Sequence, residues 1–176
     1  MGWIQTYTGR RIDPLDPDPE ALVIEDVAHA LSQLCRFNGH CRAFYSVAEH
    51  SVRVARAGAA EHALWGLMHD ASEAYLADVP RPLKRRLPDY EVVEERFMRV
   101  VAARFGLAWP MPDAVKHADT VLLATEARDL MGTDASTWGI AVAPLSEVIA
   151  PWSALEAELT FLAAWDTLSR SSRACC

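Results

Sequence analysis

Residues 65–76 read WGLMHDASEAYL, and this stretch restricts the fold more than any other part of the chain. Trp65, Leu67, Met68, Tyr75 and Leu76 recur at helical spacing and ask for burial. His69, Asp70 and Glu73 sit inside the same run. A buried ionisable group costs several kcal/mol unless it is paired or bound to a metal. His69 and Glu73 are four residues apart, and Asp70 and Glu73 three, so a helix presents them on shared faces. The rest of the chain must therefore bring polar partners to an otherwise apolar helix.

Two other stretches offer such partners. SVAEHSVRVARAG, 46–58, reads as a helix with Ser46 as N-cap, Glu49 completing a capping box and Gly58 ending it. His50 lies on its inward stripe with Val47 and Val54. Consecutive helices joined by a short turn pack antiparallel, so His50 can meet His69. KHADTVLLATEARDL, 116–130, puts Asp119 on one stripe with Leu122, Leu123 and Glu126. Two imidazoles and two carboxylates suit one divalent first-row ion, with Mn, Fe, Co, Ni or Zn favoured over Ca or Mg by the mixed nitrogen and oxygen ligation. Four protein ligands around a six-coordinate ion leave positions for water and a substrate oxygen. The blander readings pair Asp119 with Lys116, and Glu126 with Arg128 either beside Asp119 or on the surface.

The length of 176 residues fits one domain, 1–176, and the balance of 51% apolar and 23% charged residues is that of a soluble globular chain. A net charge of −7 argues against duplex nucleic acid as a partner, though not against a small nucleotide. No apolar run approaches the ~20 residues a membrane span needs. The first twenty residues lack a basic start followed by an apolar stretch, so no secretory leader is expected, and Thr6 is only a formal match to a myristoylation pattern. Cys35, Cys41, Cys175 and Cys176 form no metal or disulfide pattern and read as reduced thiols of a cytoplasmic protein. Residues 1–23 read as a loop or short hairpin broken by Asp-Pro steps. Helices are expected at 24–37, 46–58, 60–76, 89–105, 113–131 and 153–169. Residues 77–88, with prolines at 80, 82 and 88, cannot form a regular helix. Residues 132–152 make a long connection under which Trp138 and Trp152 pack, and 171–176 form a flexible tail. The class is all-α, a bundle of about six helices.

EHS around His50, HDASEAYLADVPRPLK at 69–84 and ADTVLLATE at 118–126 resemble the HD-domain metal-dependent phosphohydrolases, over roughly 24–130. The H…HD…D pattern of that family falls on His50, His69, Asp70 and Asp119. The 5′-deoxynucleotidase-like branch extends it with a Glu, an Asp and a Pro-x-x-x-Lys, matched here by Glu73, Asp78, Pro80 and Lys84. It also carries an Arg about fourteen residues before the first histidine, matched by Arg36 on the first helix. The resemblance implies a single HD-domain helical bundle that binds one divalent metal and hydrolyses small nucleotides, most of all deoxynucleoside mono- or triphosphates. It implies that Glu73 orients or deprotonates the attacking water, that Asp78 contacts the sugar or leaving oxygen, and that Arg36 and Lys84 hold phosphate. It implies a homo-oligomer as well. The proline-rich N-terminal segment and RFNGH, 36–40, depart from the branch where a base would bind, and His40 reads as a structural or substrate-edge residue. Other functions for the same fold are a phosphodiesterase acting on cyclic nucleotides or an alarmone, and a nucleotide sensor without catalysis.

Overall fold

The computed structural model describes residues 2–174. They form an all-α protein with a two-stranded N-terminal hairpin, in which Ile4–Gln5 (β1) pairs antiparallel with Arg11–Ile12 (β2). The hairpin is tied to the first helix through Asp26, whose carboxylate accepts the backbone and hydroxyl protons of Thr8 at 2.7 and 2.9 Å. One contiguous core runs from Ile12 to Phe161 and is filled by Leu31, Tyr45, Leu67, Met68, Phe97 and Leu122. Among the described residues no helix is long and apolar enough to cross a membrane.

Helix α1 (Ile24–Gln33) stops four residues before the expected end at 37. Its exit strand is held elsewhere: Arg36 N–H donates to the Tyr45 carbonyl at 2.9 Å and Val47 N–H to the Leu34 carbonyl at 3.0 Å. Arg36 therefore stands beyond α1 rather than on it, at the start of a tight turn, Arg36–Gly39, in which Phe37 and Asn38 adopt left-handed conformations. Helix α2 (Val47–Ala57) is central and packs against α1 and three later helices, α3 (Ala63–Met68), α7 (Asp113–Glu126) and α8 (Ala154–Ala174). That explains why Glu49, His50 and Ser51 are buried together with Val47, Val52 and Val54. Ser46 caps the Glu49 N–H as expected, but the box is half made. The Glu49 carboxylate instead accepts from Arg53 Nε at 2.9 Å and Trp152 N–H at 2.8 Å.

The expected helix 60–76 is divided. A single 3₁₀ turn, Ala60–His62, leads into α3 (Ala63–Met68), and α4 (Glu73–Leu76) follows the tight turn His69–Ser72. In that turn Ala71 N–H reaches back three residues to the Met68 carbonyl and Glu73 N–H to that of Asp70, at 3.0 and 2.9 Å. Such winding at three residues per turn rotates His69, Asp70 and Glu73 away from the strict α-helical spacing read from the sequence. Gly66 lets α3 approach α2, since a Cβ there would lie 2.9 Å from Ala55 Cα.

The proline segment holds one helical turn, α5 (Arg81–Lys84), begun by Pro80. Pro88 then starts α6 (Pro88–Phe105), which ends at a left-handed Gly106. Helix α7 (Asp113–Glu126) continues as a widened turn, Ala127–Met131, to a left-handed Gly132. The connection 132–152 contains a short turn, Ala135–Trp138, that leaves Trp138 exposed beside Phe37 rather than packed below it. Trp152 does pack on the core. Helix α8 (Ala154–Ala174) includes the first four residues of the expected tail, which contain no glycine or proline to stop it, while Cys175 and Cys176 lie outside the described residues. Cys35 and Cys41 are free thiols.

Candidate metal centre

The helix packing brings the sequence-derived ligands to one point. His50 comes from the middle of α2, His69 and Asp70 from the turn after α3, and Asp119 from α7. His50, His69 and Asp119 each place one ligand atom within 4.8 Å of the others. His50 Nε2 lies 3.2 Å from His69 Nε2 and 3.3 Å from Asp119 Oδ1. Asp70 Oδ2 lies 3.2 Å from His69 Nε2 and 3.6 Å from His50 Nε2.

The orientation of the imidazoles matters more than their proximity. His50 Nδ1 faces Glu126 Oε1 at 2.6 Å, and His69 Nδ1 faces the Gly66 carbonyl at 2.8 Å. Each acceptor takes the Nδ1 proton and turns the Nε2 lone pair inward. Two facing lone pairs repel unless a cation lies between them. Metal–ligand bonds of about 2.1 Å give neighbouring ligands a separation of about 3.0 Å in an octahedron and about 3.4 Å in a tetrahedron. The four ligand-to-ligand distances fall around those values, so this group can hold a metal ion. The floor is dry, with the His50 side chain 0% and that of His69 5% exposed, whereas Asp70 and Asp119 are each 20% exposed. The centre thus opens toward solvent on its carboxylate side.

The electrostatics describe a site short of positive charge. Burial and the Arg36 guanidinium push the His50 imidazole down, but Glu126 and Asp119 push it back further, up to about 9. Burial raises Asp119, and His50 and His69 then draw it down to about 2. Burial likewise raises Asp70, yet His69, His50 and Arg36 together hold it well below the usual carboxylate range. Carboxylates surround the imidazole pair, and a divalent ion would satisfy them better than a proton does.

Glu73 is 6% exposed, and its Oε2 has no hydrogen-bond partner among the described residues. Burial pushes this carboxyl up, and Asp70 and Asp78 push it further. Asp78 is partly buried and also raised, first by desolvation. Arg36 is buried, with Nη2 3.2 Å from Glu126 Oε2 and Nη1 3.6 Å from Asp70 Oδ2. Lys84 stands near the site, but its ammonium is held by Glu94 at 2.6 Å, a partner that no spacing rule predicts. His40 is exposed at the end of the Arg36–Gly39 turn.

Two residues gain roles the sequence left open or missed. Glu126 is fully buried and joins His50 to Arg36, one carboxylate oxygen to each. Its expected partner Arg128 turns away to Asp129 and to the carbonyls of Leu145 and Glu147. The stripe spacing from Asp119 to Glu126 was the available signal. Arg81, from α5, approaches Asp119 Oδ2 to 3.7 Å from the solvent side. Lys116, the alternative partner for Asp119, pairs with Asp113 at 2.8 Å.

No family model matches the chain. It is 45% identical over 142 residues to the uncharacterized protein YfdR of Escherichia coli (strain K12), an alignment that covers 80% of this chain and 79% of that protein. It is 39% identical over 144 residues to an uncharacterized protein of Rhodobacter capsulatus, which covers 74% of each.

Proposed function

Because the chain belongs to the same family as YfdR, whose name carries no activity, we propose a function from the chain's own residues: divalent-metal-dependent hydrolysis of phosphate esters or anhydrides of small nucleotides, in the manner of the HD-domain phosphohydrolases. The observation that carries this reading is the convergence of two Nε2 lone pairs, fixed from behind by Glu126 and the Gly66 carbonyl, on a point shared with Asp70 and Asp119.

His50, His69, Asp70 and Asp119 would hold the ion. A divalent ion held there would supply charge to a phosphoryl oxygen and would lower the pKa of water toward about 7. Glu73 fits the task of taking the water's proton. It is buried, its Oε2 has no hydrogen-bond partner among the described residues, and its pKa is raised from the ordinary carboxylate range, the direction that suits a base working near neutral pH. Arg36 can address phosphate while keeping Glu126, since a guanidinium presents several N–H donors in a planar fork. Asp78, partly buried on the segment between α4 and α5, would meet the sugar or the leaving oxygen, as the resemblance of the motifs implies. The cations support a phosphate substrate; the nucleotide follows from the resemblance of the motifs.

The test is a phosphate-release assay on protein loaded with Mn, Co or Zn, run on nucleoside mono- and triphosphates with nucleoside measured in parallel. Metal-dependent release that disappears in Asp119→Asn is expected. Protein carrying a full complement of metal that releases nothing from any nucleotide would refute the reading.

A further inference from the structure

We propose that Arg81 is the phosphate-binding residue at the mouth of this site, exchanging its contact with Asp119 for the substrate's phosphate oxygens once a metal is bound. The inference rests on the metal-centre reading above and adds a residue that the sequence motifs do not assign.

Three cations lie close to the centre, and they differ in how firmly they are held. Arg36 is buried between Glu126 and Asp70. Lys84 is bound to Glu94 at 2.6 Å, with both side chains about one-fifth exposed. Arg81 is 60% exposed, and among the described residues its one ion pair is with Asp119, at 3.7 Å. That distance is beyond a hydrogen bond, and an ion pair so exposed contributes little to stability. Arg81 is thus the cation whose donors can be redirected at least cost.

Its position is nevertheless fixed. Pro80 and Pro82 flank it and lock the backbone φ on both sides, and the Pro80 carbonyl accepts the N–H groups of Leu83 and Lys84 at 2.8 and 3.0 Å. The guanidinium therefore reaches Asp119 from the side on which the site is open.

Metal binding reverses what Arg81 faces. Asp119 offers Oδ1 toward His50 and Oδ2 toward Arg81. An ion held with His50 and Asp119 would draw off the carboxylate's charge and weaken its hold on the guanidinium. Arg81 is then better satisfied by an anion than by Asp119. A phosphate entering past Asp70 and Asp119 brings that anion, and the planar fork of Arg matches two of its oxygens.

The test measures binding as well as turnover. Inorganic phosphate is titrated by calorimetry into metal-loaded wild type, Arg81→Ala, Arg81→Lys and Arg85→Ala, with the metal affinity of each measured separately. Arg85 is exposed on the same basic segment and serves as the control for overall charge. Arg81→Ala should weaken phosphate binding about ten- to a hundred-fold with metal affinity unchanged. Arg81→Lys should recover part of the loss, and Arg85→Ala should bind like wild type. If Arg81→Ala binds phosphate like wild type, or changes only the metal affinity, Arg81 merely steadies Asp119 and the proposal fails while the metal-centre reading stands. If Arg85→Ala loses as much as Arg81→Ala, a diffuse basic surface replaces the specific contact. If metal-loaded wild type itself does not bind phosphate, this proposal fails, whereas the phosphohydrolase reading falls only if the release assay is also negative.

Discussion

Glu126→Gln removes one charge from the centre while keeping the side chain's size, and its consequences can be worked from two distances. Oε1 accepts from His50 Nδ1 at 2.6 Å, and Oε2 accepts from Arg36 Nη2 at 3.2 Å. A glutamine has a single acceptor oxygen. If that oxygen keeps His50, the amide NH₂ is turned on the Arg36 donors; if it keeps Arg36, the NH₂ is turned on Nδ1–H. Either way one contact becomes donor against donor in a site that water does not reach. A hydrogen bond to a charged group contributes about 1.5–3 kcal/mol, which corresponds to roughly 10- to 100-fold in metal affinity if the loss falls on His50. Breaking one partner of a fully buried pair typically costs about 3–5 kcal/mol. Asp70, 3.6 Å from Arg36 Nη1, remains as a second partner, so the loss of stability belongs at or below the lower end of that range. The assay is competition for Zn or Co between stripped protein and a chromophoric chelator, with thermal unfolding measured in excess chelator. Asp129→Asn is the control, because Asp129 pairs with Arg128 and the Ile149 N–H away from the centre. A folded Glu126→Gln protein with wild-type metal affinity would refute the view that Glu126 orients His50.

Three further outcomes follow from the same geometry. Binding of a metal at a hundred times its dissociation constant should stabilise the fold by about 2.7 kcal/mol, so a chelator should lower the melting temperature of wild type and leave that of Asp119→Asn unmoved. Glu73→Gln should retain the metal, by elemental analysis, while turnover falls about 10²–10⁴-fold; loss of the metal would instead make Glu73 a ligand. Gly66→Ala should destabilise by about 1–3 kcal/mol in thermal unfolding and weaken the metal site, because the added Cβ meets the Ala55 backbone at 2.9–3.0 Å and forces α3 from α2; an unchanged melting temperature would show that the close approach is not a constraint.

The clustering of the candidate ligands is legible in the sequence because each member sits at a position where burial and charge conflict. His50 lies among valines, His69 and Asp70 follow Leu67 and Met68, and Asp119 shares a stripe with Leu122. Helical periodicity places such residues on inward faces without knowledge of the tertiary structure. The same logic fails for long side chains. Lys84 and Glu94 are ten residues apart across the turn from α5 to α6, and no periodic rule links them. The apolar residues of 24–37 recur at helical spacing and predict Arg36 on a helix. The backbone bonds from Arg36 to Tyr45 and from Val47 to Leu34 end that helix early, and they depend on a segment more than ten residues away in the case of Leu34. The tight turn at His69–Ser72 was hidden for a different reason: 3₁₀ and α winding share nearly the same residue preferences, and only the carbonyl partners distinguish them.

What decides the character of each site residue is the helix it stands on. α2 touches four other helices, so a polar group in its middle cannot reach water and must find its partners inside. Glu49 finds Arg53 and the Trp152 N–H, and His50 finds Glu126. Such partners leave little freedom, and the imidazole floor is correspondingly fixed. Asp70, Asp119 and Arg81 stand on the open side, where water can replace any one contact, and there the structure can respond to what enters. Substitutions at Glu126, His50 or Gly66 should therefore register as changes in metal affinity and stability, while those at Arg81 should register in phosphate binding with the metal retained. A chain whose mouth and floor responded alike would not be built this way.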